Sequence, residues 1–311
     1  MLLGFLFSIL AAASFGINAV YIRRGTLTGS AAHAMYVTLI VGLPIFLLTA
    51  LLSGQLFQLS EISTRNYLLL SGAGVLHFIV GRYCSYRSIN AIGANRSTPL
   101  QALAMIISVV LAIILLDEQI TLPIVIGIIM IIIGPAIIIE RKKQIDWHSN
   151  YAKQIPNSLN QNVPEPIFRQ AEGYLFGLLA AIAWGFTPIM IREALLDANL
   201  GLLGGLVSYL AATAVLLLSF ALPGQLRKIT TLDKKAFQWF SYAGISGTFA
   251  QIFWYLSLGL IPVTIAAPLQ RTSALFVLFF SFLINRRLES FDFKVIIGII
   301  LSVGGSIALV L

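Results

Sequence analysis

Long apolar runs, broken by short polar stretches, set the pattern of this chain from end to end. Crossing the hydrocarbon of a bilayer takes about 20 mostly apolar residues in helical form. Runs of that length fall near residues 4–22, 32–52, 67–87, 97–116, 121–139, 173–191, 200–221, 237–258, 263–284 and 294–311. They predict an all-α integral membrane fold of ten transmembrane helices. Strict alternation of apolar and polar positions, the mark of half-buried strands, is missing throughout. Pro44, Pro188 and Pro268 fall inside runs, which membrane helices tolerate when neighbours satisfy the freed backbone groups. The one extended hydrophilic stretch, 140–172, is rich in Lys, Asn, Gln and Pro and reads as a linker loop. The first run lacks a basic leader and has a counterpart in mid-chain, so it is expected to be a retained span, not a signal peptide.

That counterpart reveals an internal repeat. Gly4 to Arg23 (GFLFSILAAASFGINAVYIR) aligns without gaps on Gly173 to Arg192 (GYLFGLLAAIAWGFTPIMIR), with nine of twenty positions identical. Gly54-Gln55-Leu56 falls on Gly224-Gln225-Leu226, Pro99-Leu100-Gln101 on Pro268-Leu269-Gln270, and Gly127 on Gly298, all at offsets of 169 to 171 residues. The chain therefore divides into a five-helix repeat at 1–139, the linker at 140–172, and a second five-helix repeat at 173–311. An odd number of spans per copy sends the second copy into the membrane from the opposite side. Such inverted repeats place a solute site at their interface near mid-bilayer.

Composition and charge agree with a lipid-facing chain. Charged residues make up 10% of the 311 and hydrophobic ones 58%, whereas a soluble domain carries roughly 25% charged residues. The single cysteine, Cys84, excludes a disulfide framework, and no metal-ligand spacing occurs, so neither cofactor nor metal is expected. The formal net charge of +8 forms no continuous basic face for nucleic acid. Odd-numbered loops carry 16 Lys or Arg, and even-numbered loops carry only Arg65 and Arg192. Basic loops face the cytoplasm, so both termini are expected outside, with opposite bias in the two copies.

The motifs at the repeat ends resemble a known family. Ser14-Phe15-Gly16-Ile17-Asn18 and Ala183-Trp184-Gly185-Phe186-Thr187-Pro188 resemble the opening of EamA domains. Asp117-Glu118-Gln119-Ile120-Thr121 followed by Gly127 and Gly134 resembles their close. Together they resemble the drug/metabolite transporter superfamily, with two EamA domains. The resemblance implies a central cavity lined by the first four spans of each copy. The fifth and tenth spans would be peripheral, as a monomer or homodimer in a prokaryotic cytoplasmic (inner) membrane. The chain departs from the pattern where Arg287, with Glu289 beyond it, stands near the expected counterpart of Glu118, and in the outward termini.

Candidate solute-binding residues follow from what lies inside the runs. All twelve acidic residues fall in loops or at run ends. Small multidrug relatives use a membrane carboxylate where this chain has Ser14 and Asn18, which argues against exchange of protons for cationic drugs. Arg271 lies near the middle of its run and Arg82 nearer an end. A central Arg costs about 2.5–3.5 kcal/mol to insert and so faces a cavity or a partner. Guanidinium suits a carboxylate or phosphate. The run from Leu269 to Ser273 also loosely resembles a helix of plastid phosphate-sugar exchangers. Gln101 and Gln270, at equivalent positions, are candidates for hydrogen bonding to solute. Tyr83, Tyr86, Trp184, Trp254 and Tyr255 are candidates for packing its body, and Thr187, Asn18 and Gln251 for further polar contacts. His77 is a candidate for a proton-coupled step.

The expected function is secondary transport of a small anionic or zwitterionic metabolite, coupled to a proton or a counter-substrate, since no ATP-binding motif is present. The alternatives are proton-coupled export of amphipathic drugs or amino acids and, with less support, an intramembrane enzyme. The charge pattern makes a direct prediction. A phosphatase reporter fused after Arg24 should be inactive and one fused after Arg192 active. Equal behaviour at these equivalent loops would contradict the inversion.

Overall fold

The computed structural model describes residues 1–92, 94–116, 121–139, 170–196, 200–219 and 232–285, together with 297, 301, 304 and 305. Among them the chain is helical and contains no strand. The helices are α1 (Leu2–Gly25), α2 (Ala31–Leu52), α3 (Thr64–Gly74), α4 (Arg82–Ile92), α5 (Ala94–Leu115), α6 (Leu122–Ile139), α7 (Gln170–Leu195), α8 (Gly201–Ser219), α9 (Lys234–Leu260), α10 (Val263–Arg271) and α11 (Ser273–Asn285). A 3₁₀ turn, Gln55–Glu61, follows α2, and a π-helical turn, Val75–Gly81, joins α3 to α4.

Six of the resulting helices are long and apolar enough to cross a membrane, with α3 to α4 and α10 to α11 each counted as one. The chain is a multi-pass membrane protein. Its outer surface carries large apolar side chains such as Leu48, Ile106, Leu217 and Leu218, which suit lipid. Helices α5, α6 and α9 occupy the fourth, fifth and eighth runs expected from sequence. Most of the tenth run, and residues 140–169 of the expected linker, lie outside the described residues. The linker was expected to extend to 172, but α7 already begins at Gln170. Glu172 in its first turn suits the positive end of the helix dipole and pairs with Arg87 on α4.

Local signals fix the helix ends. Ser30 and Ser63 cap α2 and α3 by accepting the N–H of His33 and Asn66, and Asp233 caps α9 through Ala236. Gly54, at φ 75°, turns the chain after α2. The next residue, Gln55, uses its side-chain oxygen to accept the N–H groups of Leu202 and Leu203 at the start of α8, 3.0 Å from each.

The two halves interlock. α1 packs on α9, α10 and α11; α7 packs on α3, the π turn, α4 and α5; α2 packs on α8 and α9, and α3 on α8. Individual contacts recur with the halves exchanged. Gly16 lies so close to Phe276 that a Cβ would collide with it, and Gly185 stands in the same relation to Ile107; both members differ by 169 residues. Ser257 donates to the carbonyl of Gly4 (3.0 Å), and Ser88 to that of Gly173 (2.8 Å), again at an offset of 169. Gly74 abuts the backbone of Ser208, and Gly244 abuts Thr38 and Val41; Gly74 and Gly244, like Thr38 and Ser208, differ by 170. Small residues let membrane helices approach closely, which is where their association energy comes from.

The change of offset locates an insertion. From Gly74 to Ser88 is fourteen residues, and from Gly244 to Ser257 thirteen, yet both ends of each stretch make equivalent contacts. The first copy therefore holds one extra residue between two fixed points. A π turn is the conformation that absorbs one extra residue in a helix, and it lies in that interval. One residue would otherwise turn the rest of the helix by about 100° and swing Ser88 away from α7. Deleting Ile79 from the π turn should leave the thermal unfolding midpoint in detergent close to that of the unaltered protein. Deleting Phe249, from the uninterrupted α9, should abolish folded protein. Equal damage from both deletions would contradict the insertion.

Candidate functional site

The π turn projects His77 into the interface between the halves. Its Nε2 lies 2.7 Å from the side-chain nitrogen of Gln251 on α9. With the amide as donor, the ring proton resides on Nδ1. That N–H and the Gln251 carbonyl oxygen have no hydrogen-bond partner among the described residues. Leaving such a group unsatisfied costs about 1–3 kcal/mol, so the pair forms a polar spot suited to water or a solute. Trp184 of α7 closes one side. Its ring centroid is 5.7 Å from that of His77, and its indole N–H donates to the His77 carbonyl at 3.3 Å. Gly81 leaves room for this ring, since a Cβ there would meet the indole nitrogen.

Two guanidinium groups, those of Arg82 and Arg271, lie within electrostatic reach of His77. They differ in how they are held. Arg82, 6% exposed, donates to the hydroxyl of Thr38 at 3.0 Å and to that of Tyr209 at 3.4 Å, and it covers the Phe78 ring with its carbon 4.9 Å from the centroid. These neutral partners, from both halves, hold it in place without a carboxylate. Arg271 ends α10, where the helix breaks. The Thr272 hydroxyl and N–H both bond back to Leu269, and α11 starts at Ser273. Pro268, one turn earlier, cannot donate to the helix. Arg271 is partly buried, and no carboxylate pairs with it among the described residues.

The structure thus brings His77, Gln251 and Trp184 together, with Arg82 and Arg271 within electrostatic reach and Tyr86 buried beside Arg82. Gln270 precedes Arg271 on α10 and is partly buried. Gln101 lies on α5, its side chain outside the described residues.

The remaining candidates are engaged elsewhere. Asn18 donates to the Ala243 carbonyl at 2.6 Å, tying α1 to α9. The Thr187 hydroxyl is taken by Ala183 of its own helix, 2.6 Å away. The Tyr83 hydroxyl accepts from Arg87 at 2.8 Å, and Arg87 is in turn paired with Glu172. Trp254 and Tyr255 are buried in the core, Tyr255 edge-on to Phe46. Sequence reasoning missed Thr38 and Tyr209, which position Arg82. A signal was there: Val37-Thr38 and Val207-Ser208 repeat a hydroxyl at an offset of 170 within otherwise apolar runs.

A solved structure titled only "Crystal structure of protein" matches 99% of this chain and 94% of its own at a TM-score of 0.68 and 14% identity, a likeness of fold. No curated protein matches the chain in sequence. The sequence model of the EamA-like transporter family matches it twice, over residues 2–140 and 171–311. The chain belongs to the EamA-like transporter family.

Proposed function

We propose that the chain is a secondary transporter of a small anionic or zwitterionic metabolite, operating by alternating access at the interface of its two halves. The observation that carries this is Arg271, a cation within a membrane span that no carboxylate neutralises among the described residues. An anionic solute group would supply the missing charge, and the guanidinium would hold it bidentately. The free Nδ1–H of His77 and the Gln251 carbonyl would hydrogen-bond the rest of the solute, and Trp184 would pack against its apolar body.

The exchanged contacts support a two-fold relation between repeats 1–139 and 173–311. With five spans per repeat, the axis would lie in the membrane plane, giving ten spans in all. Rocking of one half against the other would open the chamber to each side in turn. In a prokaryotic cytoplasmic membrane, the drive would be a second solute or a proton.

His77 favours a second reading, proton-coupled export of amphipathic drugs or amino acids. Its imidazole is the one histidine at the interface among the described residues, and its buried Nδ1 has no hydrogen-bond partner among them.

A thermal-shift screen with carboxylates, sugar phosphates, amino acids and cationic drugs separates these readings, because a ligand of the folded state raises the melting temperature. Anionic or zwitterionic hits should lose at least about tenfold in affinity in Arg271→Ala, as expected for a lost charge-assisted contact of about 1.5–3 kcal/mol. A screen in which only cationic solutes bind, or an Arg271→Ala variant that binds every hit as before, would contradict the anionic assignment.

A further inference from the structure

Burial locates the extra residue of the π turn. Phe78 and Thr248, at an offset of 170, are both 0% exposed, whereas Val80 and Phe249, at an offset of 169, are 41% and 43% exposed. Ile79 stands between these pairs and has no counterpart in α9. Both ends of the stretch are pinned. Gly74 lies against the backbone of Ser208. Arg87 pairs with Glu172 at 2.6 Å, and Ser88 donates to the Gly173 carbonyl at 2.8 Å. Moving the extra residue along the helix between these pins would leave both ends in register. Each residue that it passes would turn by about 100°.

The residues next in its path are Val80, Gly81 and Arg82. They now take the directions that Phe249, Ala250 and Gln251 have in α9; once passed, they would take those of Ala250, Gln251 and Ile252. Val80 would swing from lipid into the place where Gly81 now makes room for the Trp184 indole, and would push that ring away from His77. Gly81 would replace Arg82 at the interface of the halves. Arg82 would point as Ile252 does, a direction that is also buried. One helix would thus show the interface a guanidinium in one register and a glycine in the other.

Arg82 itself resists the turn. Of the three residues, it alone has side-chain hydrogen bonds to lose, to the hydroxyls of Thr38 at 3.0 Å and Tyr209 at 3.4 Å. We propose that the extra residue is a movable register defect, with Arg82 as its latch. Thr38 belongs to α2 of the first half and Tyr209 to α8 of the second. Displacing the halves would draw these hydroxyls apart and free the guanidinium. The latch would tie rocking of the halves to loss of a cation from their interface and to release of Trp184 from His77. That coupling rests on the transport reading; movement of the defect does not, and its test uses no solute.

The test is residue-resolved amide hydrogen exchange of the full chain in lipid nanodiscs. Amides whose helical bonds are remade as a defect passes exchange faster than those of an unbroken helix. In the unaltered protein, fast exchange should be confined to residues 75–82, with 83–87 as slow as 252–256 of α9. Arg82→Leu removes the latch and should speed exchange at 83–87 by about tenfold or more. Tyr209→Phe removes one of the two bonds and should have a smaller effect in the same direction. Deleting Ile79 from either variant removes the defect and should return 83–87 to the slow rate. The proposal is overturned if Arg82→Leu and Tyr209→Phe leave 83–87 unchanged. It is equally overturned if they speed exchange as much without Ile79 as with it, the result of a plain loss of packing.

Discussion

The cost of placing charge and hydrogen-bonding groups in hydrocarbon constrains everything else in this protein. Lipid offers no partner for a guanidinium, an imidazole or an amide, so each must be satisfied inside the bundle or face a wet cavity. Arg82 is satisfied inside, by two hydroxyls and two aromatic faces drawn from both halves. His77 and Gln251 satisfy one another in part, each leaving one polar atom open. Arg271 stands at a helix break beside them. The polar groups thus grade from fully held to partly unsatisfied, and the unsatisfied atoms of His77 and Gln251 lie together at the interface of the halves.

The scaffold is nearly two-fold in its contacts, but the chemistry it carries is one-sided. Glycine and serine contacts recur with the halves exchanged. Counting forward from the Gly74 and Gly244 pair, His77 falls on Gly247; counting back from Tyr86 and Tyr255, Arg82 falls on Gln251. Between those two counts lies the extra residue held in the π turn. The insertion changes what faces the interface without disturbing the packing on either side of it. A repeat protein can in this way keep equivalent packing in its two halves while placing different side chains at their interface.

Much of the fold shows in the sequence because lipid imposes a simple rule: spans are long, apolar and bounded by charge. The repeat was visible for the same reason that it packs, since Gly4, Gly16 and Gly185 occupy close approaches that admit no side chain. The site was less accessible to sequence. His77, Arg82, Gln251 and Arg271 stand out as polar groups in apolar runs, and the structure gathers them. Asn18 and Thr187 stand out equally, yet they bond to backbone carbonyls, because a polar side chain in a span has a helix carbonyl within reach as often as a cavity. Nothing local in residues 75–81 announces a π turn. It emerges only when spacings in the two copies are compared, since the helix is forced to wind differently by contacts at its two ends.

The proposed function requires that Arg271 face a water-filled chamber while Arg82 is sealed in protein. Phenylglyoxal, a neutral dicarbonyl that modifies guanidinium groups reachable from water, tests it directly when labelling of the native protein is read by peptide mass spectrometry. The account predicts that Arg271 is modified, that an anionic solute which binds the protein protects it, and that Arg82 is modified only after unfolding. An Arg271 that reacts no faster than Arg82 in the native protein would contradict it.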